Sequence, residues 1–122
     1  MKPGTAKTKG RETENFAVAW LRTHGFPTAE RRRLNGSTDL GDVINIPNWT
    51  IEVKSAAEWT PMLWQRQLRA EMINTGDRYG LIMCRPKGIG ADVDNWIFMI
   101  PPEVFNDIHN QLEGPRNART MQ

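Results

Sequence analysis

Apolar residues recur along this chain in two rhythms. Phe16, Ala17, Val18, Trp20 and Leu21 fall at helical spacing and predict an amphipathic helix over 12–24. Gly25 suits the left-handed position that ends a helix, Phe26 can fold back on the last turn, and Pro27 blocks continuation. From 28 the period shortens to two. Residues 28–34 read as a strand, and 41–46 and 49–55 as a hairpin turning on Pro47 and Asn48. A second helix is framed by Thr60 as N-cap, Pro61 at its first turn and Gly76 past its end, with Trp64, Leu68 and Met72 facing a sheet. Residues 78–85 predict a central strand, 86–94 a loop, 95–100 a last strand and 103–112 a short helix. The order αβββαββα describes one α/β domain with helices on the faces of a sheet. Its expected bounds are 10–112, with a flexible basic arm over 1–9 and a disordered tail over 113–122.

The hairpin carries the chemistry. On its second strand Trp49, Ile51 and Val53 alternate with Thr50, Glu52 and Lys54, the pattern of a half-buried strand. Glu52 and Lys54 then share one face, where burial is costly unless something uses them. Asp42 opens the preceding strand. A two-residue loop puts Asp42 and Glu52 on opposite faces. A three-residue loop over 46–48, or a bulge of the same parity, puts them on one face about 5 Å apart. The second arrangement also leaves Val43, Ile51 and Val53 on a common apolar face, so it is the one predicted. Asp39 is a rival upstream carboxylate, but it lies in a loop, whereas Asp42 opens a strand.

Two carboxylates converging beside a lysine suit a divalent cation with oxygen ligands and a phosphate substrate. Asp42 and Glu52 are the expected ligands of Mg²⁺, with Mn²⁺ able to substitute and the Val53 carbonyl as a third donor. Lys54 would orient the attacking water and offset developing charge. Glu14 begins the apolar face of the first helix, an odd place for a solvated charge and a reasonable one for a group aimed at the same site, directly or through water. On the second helix, Gln65 and Gln67 are the residues considered for a place near it.

Charge adds a partner class. The net charge is only +2 over 122 residues. Yet residues 1–40 hold eight basic groups against four acidic ones, while 86–115 hold one against five. A basic half suits a polyanion, and arginines favour forked phosphate contacts. Lys9, Arg11, Arg31, Arg32 and Arg33 are the expected phosphate contacts. The composition is that of a soluble globular protein without a membrane span or signal peptide. The single cysteine, Cys84, lies in an apolar strand and reads as core in a reducing, cytoplasmic setting.

Asp42 followed by Glu52-x-Lys54 resembles the core of the PD-(D/E)xK nucleases, with Gly41 where that motif often carries proline. The run Lys9-Gly10-x-x-x-Glu14, a helix, His24-Gly25-Phe26, the arginines and then Gly36-Ser37 is similar to archaeal-type Holliday junction resolvases over roughly residues 9–85. This resemblance implies a restriction-endonuclease-like core with a mixed sheet of about five strands. It implies catalytic roles for Glu14, Asp42, Glu52 and Lys54, and a functional serine that matches Ser37. It also implies a four-way DNA junction as substrate, and a phage or prokaryotic source. Two strands cut symmetrically call for a C2 homodimer; Trp59, in a linker, is the residue expected to be spare for an interface. The rival readings are a nuclease of the same superfamily acting on duplex or single-stranded DNA, a DNA-binding module without catalysis, and a protein-interaction domain with a coincidental Glu-x-Lys.

Overall fold

The computed structural model describes residues 5–33, 39–55 and 57–120. Their order is α1 (Thr5–Arg22), β1 (Glu30–Arg31), β2 (Val43–Ile44), β3 (Trp49–Lys54), α2 (Pro61–Thr75), β4 (Tyr79–Cys84), β5 (Ile97–Met99) and α3 (Pro102–Thr120), with a 3-10 turn at Val93–Asn95 before β5. The chain is α/β, as expected. The strands, however, form two sheets. β1 and β2 pair antiparallel, while β3, β4 and β5 form a mixed sheet in that order, β3–β4 parallel and β4–β5 antiparallel. β4 is central, as its apolar run predicts.

The expected five-stranded sheet divides at the hairpin. Trp49 N–H donates to the Ile46 carbonyl across Pro47 and Asn48, so the turn is the two-residue one, not the three-residue loop. Asn45 and Asn48 both have positive φ, 62° and 74°. The kink at Asn45 ends β2 after two residues and takes the place of a regular ladder. Beyond it the strands are tied through Asp42, whose N–H donates to the Ile51 carbonyl and whose carboxylate accepts from Val53 N–H at 2.7 Å. The expected parity survives by this route. Asp42 and Glu52 converge, and Val43, Ile51 and Val53 share one apolar core.

That core lies between α1 and the mixed sheet, with Ala17, Val18 and Leu21 packed on Ile51, Val53 and Met83. A second cluster on the opposite face joins Trp64 and Leu68 of α2 to Ile82 and Cys84. The alternation of Met83 with Ile82 and Cys84 along β4 puts the two helices on opposite faces. β3 is therefore buried on both faces rather than half-buried. Thr50 and Glu52 are as buried as Ile51 because α2, and Asp77 just beyond it, offer them polar partners. Gly80 lets α2 come close: a Cβ there would collide with the Met72 sulfur and press on the Leu68 side chain at 3.1 Å.

Several boundaries differ from expectation. α1 starts at Thr5, inside the segment read as a flexible arm, because Ala6, Lys7, Lys9 and Arg11 are good helix formers. α3 continues past Leu112 to Thr120, over the segment read as a tail; Pro115 removes one backbone donor without stopping it. β1 and β5 are shorter than predicted. Thr60 precedes α2 without making a side-chain cap, although Pro61 and the left-handed Gly76 frame the helix as expected. Trp59 is not spare, since it packs against Trp64 with ring centroids 5.8 Å apart. Cys84 is fully buried in the second cluster, where burial pushes its thiol up to about 11.

Candidate metal centre

The site forms where β3 presents its polar side chains to α2. Glu52 and Lys54 point the same way from β3, and Lys54 Nζ lies 3.3 Å from Glu52 Oε2. Gln67, one turn before the end of the buried stripe of α2, sits between them and the rest. Its Oε1 accepts from Lys54 Nζ at 2.8 Å. Its Nε2 faces three carboxylates: Asp39 Oδ2 and Glu52 Oε2, each at 3.3 Å, and Glu71 Oε2 at 3.2 Å. An amide nitrogen has two hydrogens, so it cannot serve all three at once. Asp39, Glu52 and Glu71 each offer an oxygen within 4.8 Å of the others.

Asp42 joins the cluster from its own strand. One oxygen is held by Val53 N–H, and the carboxyl also bonds to Glu52. Gly41 permits this approach. It has φ 93°, and a Cβ there would sit 3.1 Å from both the Ile51 carbonyl oxygen and the Thr50 methyl. Asp39 is fixed by Gly41 N–H on one oxygen, and its carbonyl accepts from Asn74 of α2. Glu14 reaches the edge of the cluster from α1. It pairs with Arg31 at 3.6 Å, and Asp42 is the carboxylate whose charge bears on it.

Burying this many acids around one lysine shifts their titration. Burial, then the charge of Asp42, pushes Glu52 up to about 7. Glu71 rises to about 10 through burial and its bonds to Glu52 and Asp39. Asp39 is held below the usual carboxylate range chiefly by the hydrogen bond from Glu71. Burial raises Asp42, and burial with Asp42 raises Glu14. Glu71 therefore keeps its proton at neutral pH and shares it with its neighbours. Its Oε1 is buried without a hydrogen-bond partner among the described residues. Shared protons relieve the repulsion among these carboxylates.

Asp42, Glu52 and Lys54, predicted from sequence, do meet, and Glu14 adjoins them at Asp42. Gln67 rather than Gln65 is the helix residue at the centre. Asp39, set aside as a loop residue, belongs to the tightest carboxylate triad. Glu71 was missed, although Trp64, Leu68 and Glu71 follow one another at helical spacing on the buried stripe. A charged residue in that stripe was the available signal. Among the expected phosphate contacts, Lys9, Arg11 and Arg33 are exposed. Arg31 is engaged by Glu14, and Arg32 donates to the carbonyls of Gly41 and Leu40, so it braces the loop that carries Asp39. Ser37 lies outside the described residues. Compared with known protein families, curated proteins and solved structures, the chain matches none.

Proposed function

We propose that this chain is a Mg²⁺-dependent structure-selective DNA endonuclease of the PD-(D/E)xK kind, with a restriction-endonuclease-like core and acting as a Holliday junction resolvase. The observation that carries the reading is the convergence of Asp42 with Glu52 and Lys54 of β3, joined by Asp39 from the loop before Asp42 and Glu71 from α2 in an oxygen-rich cluster beside the lysine. The donor set suits a hard divalent cation: carboxylates and the Val53 backbone carbonyl, with no cysteine or histidine in the cluster among the described residues. The buried, unpartnered Glu71 oxygen and the crowding around Gln67 Nε2 support the same fit.

Glu52 would hold the cation with Asp42 or with Asp39 and Glu71, the Val53 carbonyl and Glu14 being further oxygen donors, the latter through water. When bound, Mg²⁺ or Mn²⁺ supplies Lewis-acid polarisation of the scissile phosphate. Lys54, steadied by Glu52 and Gln67, would hold the attacking water in line and offset charge developing on the phosphoryl oxygens. Lys9, Arg11, Arg31 and Arg33 would meet the DNA backbone, with Arg32 positioning their loop. Ser37 retains the role that the resemblance implies. A C2 homodimer would bring two such sites to the two strands of a four-way junction.

The test is cleavage in Mg²⁺ of a labelled four-way junction and of the linear duplex of one of its arms. Paired symmetric nicks on the junction alone are expected. Equal cutting of the duplex, or of single strands, would favour the broader superfamily activity and remove the resolvase assignment. Junction binding without cutting in any divalent cation would leave a DNA-binding module.

A further inference from the structure

A groove of about 360 Å³ opens at the carboxyl ends of the parallel strands β3 and β4, next to the site but outside it. Ser55 lines it directly after Lys54, and Arg85 N–H donates to the Lys54 carbonyl, so its floor is continuous with the lysine's strand. Its walls carry Lys9 from α1 and Arg85 and Lys87 from the loop after β4, Arg85 being paired with Glu12, and no carboxylate among the described residues lines it.

The loop is braced from behind. Arg85 donates to the Ile89 carbonyl at 2.6 Å and to Thr13 and Glu12, and it lies over the Phe16 ring. Trp96 donates to the Gly90 carbonyl at 2.9 Å. These contacts take up carbonyl acceptors on the loop. The N–H groups of Lys87, Gly88 and Gly90 have no acceptor among the described residues, and Lys9 and Lys87 are exposed with no acidic partner there. A loop with the carbonyls of Pro86, Ile89 and Gly90 engaged and the N–H groups of Lys87, Gly88 and Gly90 open, flanked by two ammonium groups, favours an anion. Open ends of parallel strands are also where α/β sheets receive ligands.

We infer that the groove lined by Lys9, Ser55, Lys87 and the 88–90 backbone is a phosphodiester subsite that holds the nucleic-acid strand beside the scissile position. This rests on the nuclease reading for its substrate class. The test is anisotropy of a labelled four-way junction with the full chain in EDTA, between about 50 and 200 mM salt. Removing two phosphate contacts in a Lys9→Ala/Lys87→Ala protein should weaken binding roughly tenfold and make the salt slope shallower by about two. Arg69→Ala, which removes one cation paired with Glu103 elsewhere, is the control and should bind as the wild type does. Unchanged affinity and slope in the double variant, or an equal loss in the control, would overturn the subsite. Amide shifts of Gly88 and Gly90 should follow junction DNA. Shifts with inorganic phosphate at matched ionic strength, but none with DNA, would make it a small-anion site and refute strand binding. Because binding is read without metal, a protein that binds here and cuts nothing loses the nuclease reading but keeps the groove.

Discussion

Glu71 and Gln67 decide most at the scale of single residues. Glu71 favours its protonated form, with its titration moved by burial and its bonds to Glu52 and Asp39 from 4.5 to about 10. The folded state thus keeps a proton that the unfolded chain releases above the lower value. Stability from this group is whole below pH 4.5 and is lost as pH rises toward 10, and Glu52 adds a like loss between 4.5 and about 7. Thermal melting in EDTA should therefore decline from pH 5 to pH 9. Glu71→Gln should flatten the part of the decline above pH 7, and parallel pH slopes in the two proteins would contradict this account of the cluster. Gln67 bonds Lys54 and faces three carboxylates, so Gln67→Ala should lower cleavage or Mg²⁺ affinity roughly 10–100-fold with little change in melting temperature, as loss of a ligand-orienting residue does. The convergence of Asp42, Glu52 and Lys54 is legible from the alternation along 49–54 and the upstream aspartate. Glu71 is less legible because the apolar stripe of α2 runs Trp64, Leu68, Met72 in steps of four, and Glu71 joins its buried face one step of three after Leu68. Asp39 lies in a loop, where periodicity gives a side chain no direction. Its loop is pinned by Arg32 and Asn74, contacts that join positions far apart in sequence.

At the scale of elements, the site depends on α2 lying close to β3 and β4. Gly80 and Leu68 set that distance. Gly80→Val should push α2 off the sheet and cost about 1–3 kcal/mol by overpacking. Leu68→Ala should cost about 2–5 kcal/mol through the cavity it leaves. Chemical denaturation measures both, and wild-type stability in Gly80→Val would mean that the close approach does not limit packing. Helix α2, the central strand β4 and the face of Val43, Ile51 and Val53 could be read from periodicity and from Pro61 and Gly76. The division into two sheets could not. It arises from Asn45 at positive φ and from a side chain, Asp42, that takes the backbone donor of Val53. Hydrophobic patterning registers neither.

For the whole molecule, the basic first third and the acidic 86–115 segment predict an oriented polyanion partner rather than a uniformly charged surface. Junction affinity should fall steeply with salt, and binding that is insensitive to salt would point to a protein-interaction domain instead. Sedimentation should give a dimer at concentrations where junction cutting saturates; a monomer that makes paired nicks would contradict the C2 arrangement. No helix among the described residues is long and apolar enough to cross a membrane. In the proposed nuclease, Glu52 and Lys54 form the working centre. Cleavage of an end-labelled junction in Mg²⁺ by wild type, Glu52→Gln and Lys54→Ala, each first checked for an unchanged melting temperature, tests it most directly. Nicks from the wild type should vanish in EDTA and fall about 10²–10³-fold in both variants. Folded variants that cut as the wild type does, or a wild type that cuts nothing in Mg²⁺ or Mn²⁺, would contradict it.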